Sequence, residues 1–589
     1  MQEELMGNYR NFKLVTYFVA HATEHIDKDT LQKQIDWFGK HMRLDKVYLE
    51  PFRGGSFASK KQVLMCKEVF EKNGIEVAGG LTTCIPTPEG DKPKQRLFDT
   101  FCYNDKKMLA TLKKASELNA ECFDSYIIDD FYFTNCTCEK CRSEKEKYNK
   151  KHGITDGSWQ AYRTALMYEI SEKYVIGPAK AINPDIKITI KYPNWMESYQ
   201  ETGYDPLSQR DIFDAIYTGT ETRDPRHQDQ HLPRYLSYSL MRYMEDMAPG
   251  LNGGGWFDNF DCQIMEYYLE QAYLTAFSKP RELMMFCFQS LYDSLFAASL
   301  GHQLDKLDEL LDNLGNPIGI PCYIPNASQG EDNVQDFFGM NGFPIVTTPF
   351  FPDKAKTIML TASSAYDTDI VNKLKDFVAK GGKAIVTSGF VLETLERGLK
   401  DMTSIRFRGR HVSTKDFVME HFNKWTTVTA SEEISFPVME FRNNSTWGAL
   451  CKGLKNEESF TLLSRDTYGD GQMMMITVPD NFSTIRNFPK ELLTRLRKEF
   501  EIDGITLDGD ANISLFPYDN DTFVLYNYVT SWANDSVVTV RVKGAKKLVP
   551  LKKPMWGPKE YEPYAKEGEY TVFKLPSGVG RFEGYKIKR

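Results

Sequence analysis

The stretch YIIDDFYFTNCTCEKCR at residues 126–142 combines two kinds of reactive side chain. Asp129 and Asp130 end an apolar, strand-like run, and a C-x-C-x-x-C pattern follows at residues 136–141. Adjacent carboxylates can serve as general acid or base, whereas closely spaced thiolates can bind a metal ion or pair in a disulfide. The chemistry of this stretch depends on the elements that position it.

The first half of the chain alternates short apolar runs with longer amphipathic segments such as KKMLATLKKASEL (106–118). The apolar runs that predict strands are 12–21, 46–52, 75–83, 122–131, 186–195, 214–223, 251–260 and 282–290. Eight strands alternating with helices predict an α/β fold, a (β/α)8 TIM barrel over residues 1–312. A doubly wound open sheet is the alternative, but such a sheet rarely continues for eight consecutive units.

The reactive groups of such a barrel lie at the carboxyl ends of its strands and in the loops that follow. This rule selects four candidate catalytic carboxylates: Asp129, Asp130, Glu221 and Asp258. It also selects candidate substrate-binding residues, namely Glu50, Arg53, Lys191, Asn194, Trp195, Arg223, His227, His231, Trp256 and Gln289. Several carboxylates in a cleft with aromatic residues suit glycoside hydrolysis. That reaction needs one acid to protonate the leaving oxygen and a second carboxylate as nucleophile or base.

We assign Asp130, or its neighbour Asp129, as the general acid. Asp258 is the first choice for nucleophile or base, and Glu221 is the second. Because adjacent strand residues point to opposite faces, only one of the two aspartates is expected to face the cleft. Each carboxylate has a structural alternative, either a salt bridge at the barrel mouth or a cap on the next helix.

The basic and histidine-containing loops allow two interpretations. Arg53 and Arg223 could bind an acidic sugar, or they could pair with the carboxylates of the cleft itself. His227 and His231 lie in the polar loop DPRHQDQH. Contacts to sugar hydroxyls are the preferred role for this loop, and a catalytic metal is the alternative.

A fourth cysteine could join the three cysteines of the C-x-C-x-x-C pattern as a metal ligand. It is Cys102, which follows the third strand in FDTFCYND. Neighbouring strand-end loops of a barrel can meet, so Cys102, Cys136, Cys138 and Cys141 could form a four-thiolate site. This combination resembles the family 42 β-galactosidases, in which a lone cysteine after strand 3 and a C-x-C-x-x-C after strand 4 hold zinc. The resemblance implies a structural zinc. A disulfide and free thiols are the alternatives.

The resemblance covers nearly the whole chain, but the catalytic positions differ. The family has Asn-Glu where this chain has Asp129–Asp130, and its strand 7 carries a glutamate where this chain has Asp258. We therefore predict a divergent glycoside hydrolase of a different family, exo-acting on glycan-derived oligosaccharides, and β-galactosidase activity is not carried over. A catalytically inactive carbohydrate-binding relative and a non-hydrolytic barrel enzyme such as a lyase are the alternatives.

The rest of the chain is predicted to form two further domains. Apolar runs and the helical NKLKDFVAKGG (372–382) indicate a three-layer α/β domain over residues 313–505. It resembles the amidotransferase-like trimerisation domain of family 42, which implies a homo-oligomer with a trimer as the first choice. Alternating strands separated by polar turns predict a small β-sandwich over residues 506–589.

The composition of the chain limits the classes of partner that it is expected to bind. A net charge of −8 argues against a nucleic-acid surface, and no apolar stretch reaches the roughly 18 residues of a membrane span. There is no G-x-G-x-x-G or Walker A pattern, so we expect no organic cofactor. The polar N-terminus contains no signal peptide, which leaves both a cytoplasmic and an exported location open.

Overall fold

A computed structural model of the protein describes residues 9–84, 100–421, 424–528, 537–552 and 558–589. Eight strands form a closed barrel: β1 (Lys13–Phe18), β2 (Lys46–Leu49), β3 (Glu76–Leu81), β4 (Ser125–Ile128), β5 (Lys187–Tyr192), β6 (Ala215–Gly219), β7 (Asn252–Asp258) and β8 (Glu282–Phe286). All neighbouring pairs are parallel, and β8 pairs with β1 to close the barrel. The predicted barrel is confirmed, and each strand is shorter than the apolar run that predicted it.

Helices follow the strands. They are α1 (Ala20–His25), α2 (Lys28–Gly39), α3 (Lys60–Lys72), α4 (Lys106–Cys122), α5 (Glu139–His152), α6 (Gln160–Ile170), α7 (Gly177–Ile182), α8 (Tyr199–Thr202), α9 (Pro206–Gln209), α10 (Leu236–Met247), α11 (Met265–Phe277), α12 (Phe288–Leu291) and α13 (Leu295–Asn313). A π-helical turn at Ser171–Ile176 joins α6 to α7, and a hairpin of Phe52–Arg53 with Ser56–Phe57 follows β2. The end of the last apolar run, predicted as strand, is the helix α12.

A layer of buried side chains fills the barrel, including Val15, Tyr48, Ile127, Tyr217 and Met284. Its amino-terminal end also contains a buried ion pair between the first residues of β2 and β8. The Nζ of Lys46 lies 2.9 Å from Glu282 Oε1, and the Tyr48 and Tyr217 hydroxyls donate to Glu282 Oε2 at 3.1 and 3.3 Å. The barrel is therefore a packed core, and ligands can bind only at its ends.

The chain divides into two compact units: residues 1–229 with 247–308, and residues 230–246 with 309–589. The second unit contains a nine-stranded sheet of β9 (Ile320–Tyr323), β10 (Ile345–Thr348), β11 (Thr357–Leu360), β12 (Lys383–Thr387), β13 (Ile405–His421), β14 (Lys424–Phe441), β15 (Ala449–Lys455), β16 (Glu458–Tyr468) and β17 (Gly471–Ile476). Its order is β10-β9-β11-β12-β17-β16-β15-β13-β14. Helices α14 (Val334–Met340), α15 (Ile370–Ala379), α16 (Ser388–Thr394) and α17 (Lys490–Arg497) complete this domain.

Five neighbouring strands of this sheet, β10, β9, β11, β12 and β17, are parallel, as expected for the α/β domain. The other four strands, β16, β15, β13 and β14, extend the sheet in antiparallel fashion. The sequence did not predict the antiparallel arm. Strand β14 shows the reason, since most of its first ten side chains are exposed and polar and give no apolar pattern.

Two four-stranded sheets form the predicted C-terminal sandwich. Its strands are β18 (Ile505–Asp508), β19 (Ile513–Tyr518), β20 (Thr522–Asn527), β21 (Val537–Lys543), β22 (Lys547–Pro550), β23 (Ala565–Glu567), β24 (Tyr570–Pro576) and β25 (Arg581–Lys588), in the orders β18-β21-β24-β23 and β19-β20-β25-β22. One apolar cluster, including Leu515 and Phe573, lies between the sheets. Within the described ranges, no helix is both long and apolar enough to span a membrane.

Candidate active site

A buried lysine at the carboxyl end of the barrel connects two of the predicted catalytic carboxylates. Lys191, in β5, lies with its Nζ 2.6 Å from Asp130 Oδ2 and 2.7 Å from Glu221 Oε1. The same nitrogen lies 3.7 Å from Asp129 Oδ1 and 4.1 Å from the centre of the Trp256 ring. Only 2% of the Lys191 side chain is exposed. A buried ammonium therefore holds carboxylates from two strand ends together.

Asp129 is held by a second cation. Arg53 donates from NH2 to Asp129 Oδ2 at 2.6 Å and from Nε to Glu50 Oε2 at 2.8 Å. Thr82, just after β3, donates to both carboxylates. Asp129 also accepts from the backbone N–H of Asp130 at 2.8 Å. With 3% of its side chain exposed, Asp129 is fixed within the protein, whereas 15% of the Asp130 side chain is exposed.

Asp258, the last residue of β7, is held by the third cation. Arg223 donates from Nε and NH2 to the two carboxylate oxygens at 2.8 and 2.6 Å, which is a bidentate pair. Arg223 has a left-handed backbone (φ 51°), which is uncommon for a residue with a side chain. The backbone N–H of Phe260 adds a further contact to Asp258 Oδ1 at 3.1 Å. Both oxygens of Asp258 are therefore occupied.

Glu221 differs from Asp258 because one of its oxygens is unused. Oε1 accepts from Lys191, and Oε2 is buried with no hydrogen-bond partner among the described residues. Close packing against Gly219 permits this position, since a Cβ atom on Gly219 would lie 2.6 Å from Glu221 Oε2. Asn194 supports the same loop by donating to the Glu221 carbonyl at 2.8 Å.

Carboxylates outnumber cations in this network. Five acids (Glu50, Asp129, Asp130, Glu221 and Asp258) share three cations (Arg53, Lys191 and Arg223). Burial, reinforced by the charges of Asp129 and Glu221, raises the pKa of Asp130 to about 8 against the opposing effect of Lys191. Burial acts on Asp129 too, but Arg53 and Lys191 outweigh it and hold the pKa of Asp129 below its usual range. Burial raises the pKa of Glu221, which Lys191 opposes.

Asp129 and Asp130 were expected to point to opposite faces of a strand, and this reasoning does not apply to them. Strand β4 ends at Ile128, so Asp129 and Asp130 lie in the following turn and not on opposite faces of a strand. Both carboxylates approach Lys191, and their environments differ by their partners and exposure.

Four further residues that were predicted to bind substrate have different environments. Glu50 is 0% exposed and accepts from Tyr17 and the Ala20 N–H besides Arg53, so it positions the arginine. Trp256 is buried and covered by Lys191, so it supports the ammonium. Trp195 Nε1 and Gln289 Nε2 are buried donors without a hydrogen-bond partner among the described residues.

The two predicted loop histidines remain at the surface. His227 lies 3.9 Å from Asp224, and 48% of its side chain is exposed. His231 is also exposed and belongs to the second unit. Neither residue belongs to a group of three potential metal ligands within the described ranges.

Sequence reasoning missed several residues of the site. Tyr17 and Thr82 hydrogen-bond Glu50, and Tyr204 donates to the Asp130 carbonyl at 2.6 Å. Phe260, which is 45% exposed, presents an aromatic ring two residues after Asp258. Applying the strand-end rule to hydroxyl and aromatic residues, and not only to charged ones, would have found Tyr17, Thr82 and Phe260.

The four predicted cysteine ligands converge on one point next to the Asp130 loop. Their Sγ atoms all lie within 4.8 Å of one another, and Cys102 Sγ lies 3.6 Å from Cys141 Sγ and 3.9 Å from Cys138 Sγ. Tetrahedral zinc with Zn–S bonds of about 2.3 Å requires similar separations, of about 3.8 Å. A disulfide requires about 2.05 Å, and no cysteine of the described residues is paired. The four thiols therefore fit a structural zinc ion.

A (β/α)8 barrel with a network of buried carboxylates at its carboxyl end defines the class of the protein as a glycoside hydrolase. The profile of the family described as "Probable glycosyl hydrolase, catalytic domain" matches residues 2–305, and the chain belongs to this family. Residues 315–481 match the family described as "Uncharacterized protein SSO3021, second domain". The uncharacterized protein SSO3021 of Saccharolobus solfataricus is 28% identical over 412 residues, which are 64% of this chain and 67% of that protein.

Solved structures share the whole architecture. A GH42 β-galactosidase from G. stearothermophilus covers 98% of both chains with a TM-score of 0.62 and 12% identity. The β-galactosidase from Rahnella sp. R3 covers 96% of this chain and 98% of its own with a TM-score of 0.61 and 12% identity. An exo-beta-1,4-mannosidase from Opitutaceae bacterium strain TAV5 covers 83% of this chain and 94% of its own with a TM-score of 0.51 and 10% identity. At these identities, the likeness shows the fold alone.

Proposed function

We propose that the protein is an exo-acting glycoside hydrolase on glycan-derived oligosaccharides, with Asp130 as general acid and Glu221 as nucleophile. The observation that carries this proposal is the single ammonium of Lys191 between the two carboxylates. The exo mode is supported by the similar fold of an exo-beta-1,4-mannosidase. Of the two expected nucleophiles, Asp258 is engaged on both oxygens by Arg223, which favours Glu221.

The protonation states suit the two roles. A carboxyl group with a pKa of about 8 carries its proton at neutral pH and can transfer it to the glycosidic oxygen as the bond to the anomeric carbon breaks. Once Asp130 is protonated, its charge no longer opposes the ionisation of Glu221. The Glu221 carboxylate can then attack the anomeric carbon and form a glycosyl ester. Asp130, now ionised, takes a proton from the water that hydrolyses this ester, which restores both groups.

The geometry favours retention of anomeric configuration. Asp130 Oδ2 and Glu221 Oε1 lie 2.6 and 2.7 Å from the same nitrogen, so these oxygens are no farther apart than the two distances combined. Retaining enzymes place their carboxyl groups about 5–5.5 Å apart, whereas inverting enzymes need about 6.5–9.5 Å to admit a water.

The site favours a neutral sugar. Arg53 and Arg223, which could have bound an acidic substrate, are paired with Glu50, Asp129 and Asp258. The excess of carboxylates over cations repels an anion and stabilises the positive charge of an oxocarbenium-like transition state. The donors Trp195 Nε1 and Gln289 Nε2 are suited to sugar hydroxyl groups.

The catalytic roles can be separated with glycosides of different leaving groups, after a panel of glycans and aryl glycosides has identified a substrate. Asp130→Asn should lose about 10²- to 10⁴-fold in kcat/KM on an unactivated oligosaccharide. It should lose much less on a dinitrophenyl glycoside, whose leaving group needs no proton. Glu221→Gln should lose activity on both substrates. Asp211→Asn, at a side chain that is 74% exposed, is the matched control and should behave as wild type.

A mechanism-based label identifies the nucleophile directly. A 2-deoxy-2-fluoro glycoside of the active sugar should leave a glycosyl ester on Glu221, detected by peptide mass, and NMR of early product should show retention. A label on Asp258 would transfer the role of nucleophile to that residue, and full activity of Asp130→Asn on the oligosaccharide would end the acid assignment.

Glycan binding without hydrolysis across the panel would favour an inactive carbohydrate-binding protein, and an unsaturated product absorbing in the near ultraviolet would indicate a lyase.

We also propose that Cys102, Cys136, Cys138 and Cys141 hold a structural zinc ion. The convergence of the four Sγ atoms supports this assignment. Such an ion would tie the loop after β3 to the segment between β4 and α5, next to Asp130. The cysteines take no part in the chemical step, and zinc here would contribute stability to the loop that carries the acid.

A further inference from the structure

A second group of potential metal ligands lies on the short helix after β1. Within α1, His21, Glu24 and His25 follow the pattern H-x-x-E-H. Residues three and four positions apart lie on one face of a helix, and the ligand atoms of these three all lie within 4.8 Å of one another. The two imidazole rings are 4.7 Å apart between centroids, and His25 Nε2 lies 3.6 Å from Glu24 Oε2.

The helix holds these side chains firmly while leaving them accessible. Ala20 and Thr23, on its other face, are 0% exposed. The backbone N–H of Ala20 donates to Glu50 Oε2 at 2.9 Å, which ties the start of the helix to the carboxylate network. In contrast, 62% of the His25 side chain and 33% of the Glu24 side chain are exposed. The three ligands are therefore presented to solvent at the carboxyl end of the barrel.

We propose that His21, Glu24 and His25 bind a divalent transition-metal ion of the zinc class at the rim of the active-site face. Two imidazoles and one carboxylate suit zinc, copper or nickel, whereas magnesium and calcium prefer oxygen ligands. Zinc bonds of about 2.0–2.2 Å to nitrogen and oxygen would bring the ligand atoms slightly closer, which rotations of exposed side chains allow. Three protein ligands leave a fourth position open to water or to an oxygen of a bound glycan. This site shares no ligand with the four-cysteine cluster.

The proposal is tested with Zn²⁺ alone, on the full chain without a polyhistidine tag. Equilibrium dialysis at micromolar free Zn²⁺, followed by metal analysis, gives the number of ions bound per chain. The variants are His21→Ala, His25→Ala and Glu24→Gln, and His302→Ala, at another exposed histidine of the barrel unit, is the matched control. The thermal unfolding midpoint of each variant checks that the barrel remains folded.

The expected result is one bound ion fewer in His21→Ala and in His25→Ala than in wild type, with His302→Ala unchanged. Glu24→Gln should lower the affinity for Zn²⁺ without abolishing binding, because the carboxylate ligand is lost while both imidazoles remain. Cobalt substitution distinguishes the two clusters, because thiolate-to-cobalt bands should persist in His21→Ala. Equal zinc content in wild type, His21→Ala and His25→Ala would overturn the proposal.

Discussion

Burial and the Lys191 ammonium act in opposite directions on the pKa of both carboxylates that Lys191 joins, Asp130 and Glu221. The ammonium favours ionised Asp130 and ionised Glu221, whereas burial and the mutual repulsion of the acids favour their protonated forms. For Asp130, burial and the repulsion between the acids outweigh the ammonium. Its pKa of about 8 therefore lies well above the roughly 3.9 of an exposed aspartate. The site therefore stores one proton at neutral pH on the carboxyl group that is the more exposed of the adjacent aspartates.

This proton sets the pH dependence of catalysis. Because the proposed acid is the protonated form of Asp130, kcat/KM for an unactivated substrate should fall as pH rises through about 8. Lys191→Met removes the charge that opposes protonation, so the alkaline limb should move to higher pH while the maximal rate falls. Lys187→Met, at an exposed residue of the same strand, should leave the limb in place. An alkaline limb that does not move in Lys191→Met would contradict the assignment.

The stability linkage of the two aspartates has opposite signs. The folded protein binds the Asp130 proton more tightly than the unfolded chain does, so this contribution to stability is complete below pH about 4 and is lost as pH rises through about 8. Asp129, with a lowered pKa, contributes stability that is present above pH about 4 and is lost as pH falls through its folded pKa.

At the scale of elements, the two ends of the barrel use buried charge differently. The carboxyl end holds an excess of acids, one of which retains a proton. At the amino end, the Lys46–Glu282 pair is balanced, and hydroxyl groups of Tyr48 and Tyr217 occupy the second oxygen of Glu282. A balanced, fully hydrogen-bonded pair closes the barrel, whereas an unbalanced network provides reactive groups.

Breaking the amino-terminal pair should destabilise the barrel. Glu282→Gln leaves the Lys46 ammonium with the Tyr48 hydroxyl at 3.0 Å and a more distant carboxylate, Glu76, at 3.7 Å. The close charged partner is lost, so the free energy of unfolding should fall by about 3–5 kcal/mol. Denaturant unfolding measures the change. Glu68→Gln, which breaks exposed ion pairs on α3, is the control and should leave the unfolding midpoint unchanged. A loss in Glu282→Gln no larger than in the control would contradict the importance of the buried pair.

The cysteine cluster makes a separate prediction for the loops after β3 and β4. Cys138→Ser should lower the zinc content by one ion per chain, abolish thiolate-to-cobalt bands and lower the thermal midpoint, because a zinc site contributes its binding free energy to folding. Cys84→Ala, at a partly buried cysteine outside the cluster, should retain both the ion and the bands. Thiolate-to-cobalt bands of undiminished intensity in Cys138→Ser would contradict the four-thiolate site.

At the scale of the whole molecule, the proposed catalytic residues lie in one unit and the long antiparallel arm lies in the other. Strand β14, with 18 residues, ends the order of the nine-stranded sheet and pairs only with β13 among the described strands. A long open edge is a template for pairing with another chain. We therefore expect the second unit to mediate self-association, with a trimer as the first choice.

The solution mass tests this expectation. A trimer should have three times the mass of the 67.8 kDa chain in sedimentation equilibrium, and dilution should shift the distribution towards smaller species. A mass equal to one chain over the whole concentration range would contradict self-association.

The sequence by itself determined the architecture and most of the candidate site. Eight apolar runs separated by amphipathic helices favour a closed parallel barrel over an open sheet, and the strand-end rule then selects Asp129, Asp130, Lys191, Glu221 and Asp258. Local patterns also identified the four cysteines. The antiparallel arm was missed because half-exposed polar strands produce no apolar periodicity.

Only the tertiary structure decided how these side chains are partnered. Asp129 and Asp130 are chemically identical neighbours, and their pKa values separate because Arg53, from the hairpin after β2, pairs with Asp129, whereas Asp130 pairs only with Lys191 of β5 among the described residues. Likewise, Asp258 is occupied by Arg223 while Glu221 keeps an unused oxygen. Distances between strand ends and the depth of burial set electrostatic energies, and neither quantity is encoded in spacing along the chain.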